Sequence, residues 1–328
     1  MEFVDIKNKK KQHYVPQFYL KKWLSEEEIW VSLTVDGRSK KFLKKTTSDI
    51  AVENYFYKIK MDDVVWDLLM ARYMDEIKES PLLQMIFKDL HFLKCADDVI
   101  NKGWLVTNHD KKTKEFAKKN LKTMNNIFFE NKYSEIESSL SEIIKDFIRL
   151  QESQIVTLTD SKTLLHIIIF YSTQLFRTKK MYSTLDEKIT NLVLKRGNEE
   201  IILNEDQKES YFRCILYIMS LQFALNFEEK LVGIKVFKNN TGINFLTSDC
   251  PAIYNNDSTF AAFPLSPNLF IHFDLRDPTT LINTHRSIKI EKIEINDVEQ
   301  VKITNRLISE NSNIFIFSQN EKDFITQL

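Results

Sequence analysis

Apolar positions recur with a helical period along most of this chain and switch to strict alternation near Leu231. Before that switch, one early stretch already alternates: Ile29, Val31, Leu33 and Val35 lead into Asp36-Gly37, so residues 28–45 predict a hairpin. Met61, Val65, Leu68, Leu69 and Met74 then fall at helical spacing. Ser80-Pro81 reads as an N-cap followed by proline at the first helical position, opening a second helix to about Cys95. Residues 97–112, with Trp104 and His109, read as a loop. Two amphipathic helices follow, Thr113 to Phe129 and Tyr133 to Gln151. The segment from Ser161 to about Lys179 is apolar on nearly all sides until Gln174, which predicts a helix buried in a bundle. A last long helix, Gln207 to Lys230, carries the stripe Phe212, Ile215, Leu216, Met219, Phe223 and Phe227.

Beyond Leu231 the segments LVGIKVF, INFLTSDCPAIY, NLFIHFDL, SIKIEKIEI and NIFIFS read as strands. Asp297 and Gln300 form a capping-box pair opening a helix from Val298 to about Glu310. The pattern predicts an α+β fold in three parts sharing one core. These are an N-terminal motif and β-hairpin (1–60), a mainly helical central bundle (61–230) and a C-terminal mixed α/β part (231–328).

Composition narrows the classes. At 328 residues and 43% hydrophobic, the chain has enough apolar content for a sizeable core and does not read as disordered. Lys+Arg and Asp+Glu are 46 each, whereas a protein that wraps duplex DNA carries a basic excess. Two local basic patches remain: six lysines among the first 22 residues, and the run Arg38, Lys40, Lys41, Lys44 and Lys45. Cys95, Cys214 and Cys250 are far apart without a CxxC, so neither a zinc knuckle nor a disulfide framework is expected. No signal-peptide core or membrane-length apolar run is present, which predicts a cytoplasmic protein with no membrane partner.

Candidate chemistry concentrates in QHYVPQFYLKKW, Gln12 to Trp23. Pro16 disfavours a helix through Val15 but suits a helix start, and the helix then places Pro16, Tyr19, Leu20 and Trp23 near one stripe. That stripe is expected to dock on the body while His13, Tyr14 and Gln17 converge at the helix mouth. Gln174 and Arg177, three apart, share a face where a guanidinium fork suits a phosphate or carboxylate. Glu53 and Asp249 are the expected counter-ions of Arg177. Asp249 and Ser248 sit in TSDCP, where the chain leaves a strand, and FPLSP (263–267) reads as a second rigid turn. No complete catalytic signature occurs: GxxxxGK, GxSxG and HExxH are all missing.

Five blocks, HYVPQFYL, AVENYFY, STQLFRT, FLTSDCP and FPLSP, in this order and spacing, resemble the bacterial domain of unknown function family 4238. Members of that family commonly carry Asn where this chain has Cys250, which argues against an obligatory polar group there. The resemblance implies that the separated polar blocks belong to one architecture. The expected centre comprises His13, Glu53 and Asp249 as catalytic groups, with Tyr14, Gln17, Gln174, Arg177 and Ser248 as substrate-binding groups. A divalent metal ion is a candidate cofactor. Two functions stay open. One is a nuclease or other phosphodiester-directed effector of a bacterial defence or toxin system, touching nucleic acid through the basic N-terminal patches. The other is a non-enzymatic module that senses or binds a protein partner, its polar blocks forming buried networks. The first requires the polar groups to open into a cleft; the second requires them to be sealed.

Overall fold

The computed structural model describes residues 8–35, 38–44, 46–102, 111–149, 155–158, 161–189, 193–196, 199–255, 260–276 and 288–327. In chain order the first elements are β1 (Lys11–His13), α1 (Gln17–Leu20) with a 3₁₀ turn Lys21–Trp23, the hairpin strands β2 (Ile29–Val35) and β3 (Arg38–Lys44), and β4 (Val52–Asn54). The helices α2 (Asp63–Glu79), α3 (Pro81–Asn101) and α4 (Lys111–Arg149) follow. After β5 (Ile155–Leu158) come α5 (Ser161–Phe176), α6 (Lys179–Lys188), the hairpin β6 (Val193–Arg196) and β7 (Glu199–Ile202), and α7 (Glu205–Lys230). The chain closes with β8 (Leu231–Asn239), β9 (Thr247–Ser248), β10 (Ile253–Tyr254), β11 (Phe260–Ser266), β12 (Leu269–Leu275), β13 (Ile288–Ile295), α8 (Val298–Asn311) and β14 (Phe315–Ser318). The fold is α+β.

Two compact units emerge, each discontinuous in sequence. The first holds the described residues of Met1–Gln12, Glu53–Ser134 and Tyr182–Gln222. Its helices start where local chemistry says they should: Asp62 accepts from the Val65 N–H at 3.1 Å, and Ser80 from the Leu83 N–H at 3.3 Å. Val65, Leu69 and Tyr73 of α2 and Leu83, Ile86, Phe87 and Leu90 of α3 form buried faces, with the rings of Tyr73 and Phe87 5.8 Å apart. Phe129 and Tyr133 pack against Tyr217, their ring centroids 4.9 and 6.2 Å from it.

The second unit holds His13–Val52, Glu135–Met181 and Phe223–Leu328, as far as described. It contains a six-stranded sheet of order β10-β11-β12-β8-β13-β5 and a four-stranded sheet of order β3-β2-β14-β9. Only the β8–β13 pair of the larger sheet is parallel. Gly233 sits on β8 where a Cβ would come within 3.3 Å of Asp274 Oδ2, so a larger residue there would make the Asp274 carboxylate shift by a few tenths of an ångström. Asp297 caps α8 through the Glu299 N–H at 2.9 Å, and α8 buries Val301, Asn305 and Ile308. Val301 and Ile308 pack with Phe245, Leu246, Phe270, Ile295, Ile316 and Phe324 into one core cluster.

Several expectations change: the helix from Pro81 runs on to Asn101, into the stretch expected as a loop, and INFLTSDCPAIY forms only the short strands β9 and β10. The two helices expected over 113–151 are one, α4, because nothing between Phe129 and Tyr133 breaks a helix. Instead the Ser134 hydroxyl donates back to the Glu130 carbonyl at 2.8 Å, and Phe129 and Tyr133 keep one buried face at i, i+4. The helix from Ser161 ends at Phe176, and α6 starts at Lys179 after a break of two residues, where Thr178 Oγ1 accepts from the Met181 N–H at 3.2 Å. FPLSP lies largely within β11, not in a turn. The ladder to β12 is irregular between Pro264 and Ser266, and β10 pairs only Ala261 and Ala262, so the missing proline N–H is tolerated. Asp36-Gly37, Lys7, Lys45, Trp104 and His109 lie outside the described residues, as do the side chains of Arg38, Lys40, Lys41 and Lys44. Among the described residues no helix is long and apolar enough to cross a membrane.

Candidate functional site

The opening motif acts as a hub of the second unit. Tyr19, Leu20 and Trp23 are fully buried, so the stripe docks as its spacing predicts. Tyr19 reaches two other blocks at once: its hydroxyl lies 2.6 Å from Thr247 Oγ1 and donates to the Pro264 carbonyl at 2.8 Å. Trp23 Nε1 donates to the Phe245 carbonyl at 3.0 Å. Aromatic contacts complete the assembly. Tyr19 and Phe263 are 5.0 Å apart, Phe18 and Phe170 6.0 Å, and Phe170 and Phe263 5.6 Å, all between ring centroids. The AVENYFY block enters through its first residue. Ala51 adopts a left-handed φ of 48°, unusual for a residue with a Cβ, and its carbonyl accepts from the Tyr14 N–H at 3.1 Å.

The proposed substrate-binding and catalytic groups differ widely in access. His13 and Gln17 are half-buried, with His13 Nε2 and Gln17 Nε2 2.8 Å apart. Tyr14, expected at an open mouth, is buried, and Lys179 Nζ lies 5.3 Å from its ring centre. Glu53 is exposed and belongs to the first unit.

Arg177 lies at the break between α5 and α6, with 1% of its side chain exposed. The counter-ion in place is Glu137 of α4, Nη1 to Oε1 at 2.7 Å, a residue that sequence reasoning missed. Gln174 does meet Arg177 as its spacing predicts: turned so that its oxygen faces the guanidinium, the amide accepts from Nε and Nη2, each at 3.2 Å.

Asp249 is 2% exposed, and its carboxylate is spent on backbone. Oδ1 accepts from the Asn313 N–H at 2.8 Å, and Oδ2 from the Ile314 and Phe315 N–H groups at 2.9 and 3.2 Å. Burial pushes its carboxyl above the usual range, while those peptide donors pull it back. A raised carboxyl suits proton transfer in principle, but this one clamps the turn after α8 to the end of β9. Ser248 is fully buried, and its Oγ accepts from the Cys250 N–H at 3.1 Å. Asn311 Nδ2 donates to the Cys250 and Ala252 carbonyls at 2.7 and 2.8 Å, which fixes the rest of the block. Burial raises the Cys250 thiol to about 12, far from thiolate chemistry. Burial also pushes Tyr19 well above its ordinary value. Among the described residues no three His, Cys, Asp or Glu side chains gather as a metal-binding group.

Four of the five blocks, separated by up to some 250 residues of sequence, thus meet around Tyr19 and Tyr14 by packing and hydrogen bonds. The chain matches the family described as Protein of unknown function (DUF4238) over residues 11–322, nearly its whole length, and belongs to that family. No curated relative and no solved structure matches it.

Proposed function

We propose that this DUF4238 member is a non-enzymatic interaction or sensing module, in which the shared motifs build a sealed polar frame. The observation that carries this reading is the burial of Arg177, Ser248 and Asp249, with hydrogen-bonding groups directed to the protein's own backbone and side chains. Such groups stabilise one packed arrangement and offer little to a substrate. Recognition then falls to surfaces outside the hub. In the same unit a cavity of about 350 Å³ lies between α8 and the larger sheet, lined by Phe237, Phe260, Phe270, Ile303, Leu307 and His272 among others. Its volume falls in the range of about 300–1,000 Å³ typical of small-ligand sites.

One observation favours the phosphodiester-directed reading: His13 stays partly open, with its Nε2 2.8 Å from Gln17 Nε2. Incubating the protein with RNA, single-stranded DNA and duplex DNA, with and without magnesium, beside His13→Ala separates the two. The module reading expects no cleavage beyond that of His13→Ala. Cleavage lost in His13→Ala at an unchanged melting temperature would overturn it in favour of the enzyme.

A further inference from the structure

The first unit holds a cavity of about 450 Å³ where Lys58–Lys60 meets α4. Five lysines line it, Lys58, Lys60, Lys118, Lys119 and Lys122, against one acid, Asp97. Lys118, Lys122 and Asn125 follow at i, i+4 and i+7, so they share a face of α4. Lys58 and Lys60 make only long ion pairs, 4.0 Å to Asp206 and 3.4 Å to Asp62. Lys118 and Lys122 make none among the described residues, and like charges one helical turn apart repel until an anion joins them.

A solvated basic face accounts for exposed lysines but not for Asn125. That residue is 8% exposed, and its buried Oδ1 has no hydrogen-bond partner. An orphaned buried acceptor is costly and marks the place of a missing donor.

The segment beside it is held rigidly. Gln12, fully buried, receives the Tyr57 N–H on Oε1 at 2.7 Å and donates from Nε2 to the Asn126 carbonyl at 2.6 Å. The Ile59 N–H donates to the Asn125 carbonyl at 3.1 Å, and the Lys60 N–H to Ser210 Oγ at 2.8 Å. Arg213 Nη1 donates to the Lys58 carbonyl at 2.8 Å. Two lysines therefore project from a backbone already fixed before any ligand arrives, which lowers the entropy cost of binding.

We propose that this cavity binds a small phosphate ester carrying a hydroxyl or amino donor, of about mononucleotide size. The lysines take the phosphate, and Asn125 Oδ1, buried in this structure, meets the donor by a turn of its side chain. An anion alone would leave Asn125 unanswered, and a neutral ligand would leave Lys118 and Lys122 unanswered. The cavity's volume also exceeds what inorganic phosphate needs. None of the side chains named in the motif hub lines this cavity.

Titration calorimetry on the full chain tests the proposal with AMP, ribose 5-phosphate, adenosine and inorganic phosphate. The expected result is saturable binding of at least one ester, with a Kd below about 1 mM, and none of adenosine. The double variant Lys118→Ala/Lys122→Ala, at exposed positions, should melt as the parent does without ligand and bind the ester at least about tenfold more weakly. Asn125→Ala should weaken the ester while leaving inorganic phosphate unchanged. Equal ester affinity in either variant would overturn the site. So would binding of neither ester, including the case in which only a single-stranded oligonucleotide binds, because the lysines would then be a polymer-binding surface.

Discussion

Arg177 provides the sharpest test of whether the hub is a frame. Its side chain is 1% exposed, whereas that of its partner Glu137 is 22% exposed. Arg177→Ala strands the carboxylate, and breaking a buried pair costs about 3–5 kcal/mol. Because Glu137 keeps some water, the lower end applies, about 3 kcal/mol. Arg177→Lys keeps the charge but loses the fork. One ammonium cannot reproduce the donors that Nη1 offers Glu137 and that Nε and Nη2 offer Gln174. Losing one charge-assisted hydrogen bond costs about 1.5–3 kcal/mol, so Arg177→Lys should lose about 2 kcal/mol. Glu137→Ala takes the Glu137 carboxylate from the more deeply buried ion and should cost about as much as Arg177→Ala. The double variant Arg177→Ala/Glu137→Ala should therefore be less destabilised than the sum of the two, by about 1–3 kcal/mol. Urea unfolding followed by circular dichroism reads this as a lower midpoint at unchanged slope. Thermal melts should fall by about 2–4 °C per kcal/mol for a unit of this size. An Arg177→Lys melt within error of the parent, or strict additivity in the cycle, would refute the assignment of Arg177 to the frame.

Three further outcomes follow from the same geometry. Tyr19→Phe removes the hydroxyl shared by Thr247 and the Pro264 carbonyl, and should cost about 1–3 kcal/mol in urea unfolding; a neutral result would mean the blocks are held by ring packing alone. Asp249→Ala should raise amide hydrogen exchange at Asn313, Ile314 and Phe315, which lose their common acceptor; unchanged protection there would show that the clamp is dispensable. In the first unit, hydrogen bonds from Lys94 and then Lys102 hold the Asp63 carboxyl down at about 2. A depressed folded value contributes stability that is present above the unfolded value, about 4, and is lost as pH falls toward about 2. Lys102→Ala should flatten the loss of stability across that window. A parental acid profile in the variant would remove Lys102 from the effect.

Local chemistry made much of the fold legible. Ser80 and Asp297 start helices because a cap acts on the next turn of the same chain, and Tyr19, Leu20 and Trp23 declare one face by spacing alone. Thr178 carries the same kind of signal, an N-cap just before α6, but the apolar run ahead of it reads as an uninterrupted helix. Pro264 misled in the opposite direction. A proline normally argues against a strand, yet here the ladder is irregular beside it and the neighbouring short strand ends two residues earlier.

The candidate site was legible as an assembly but not as chemistry. A polar letter inside an aromatic block reads the same whether the side chain faces substrate or its own backbone. Asp249 shows why. Its partners are peptide N–H groups more than sixty residues away, which any non-proline sequence at 313–315 would supply, so no partner residue type exists to be recognised. Glu137 is hidden differently, as one of several acids on a long polar helix forty residues before Arg177. Only the fold singles it out, by setting that one carboxylate against the break between α5 and α6. The same asymmetry applies to the lysine cavity. Lys118 and Lys122 look like ordinary surface letters on α4, and what distinguishes them is a buried Asn125 carbonyl oxygen left without a donor beside them. In both units the informative quantity is therefore which polar groups are satisfied from within, because a group already bonded to backbone supports the fold and an unanswered one points to a ligand.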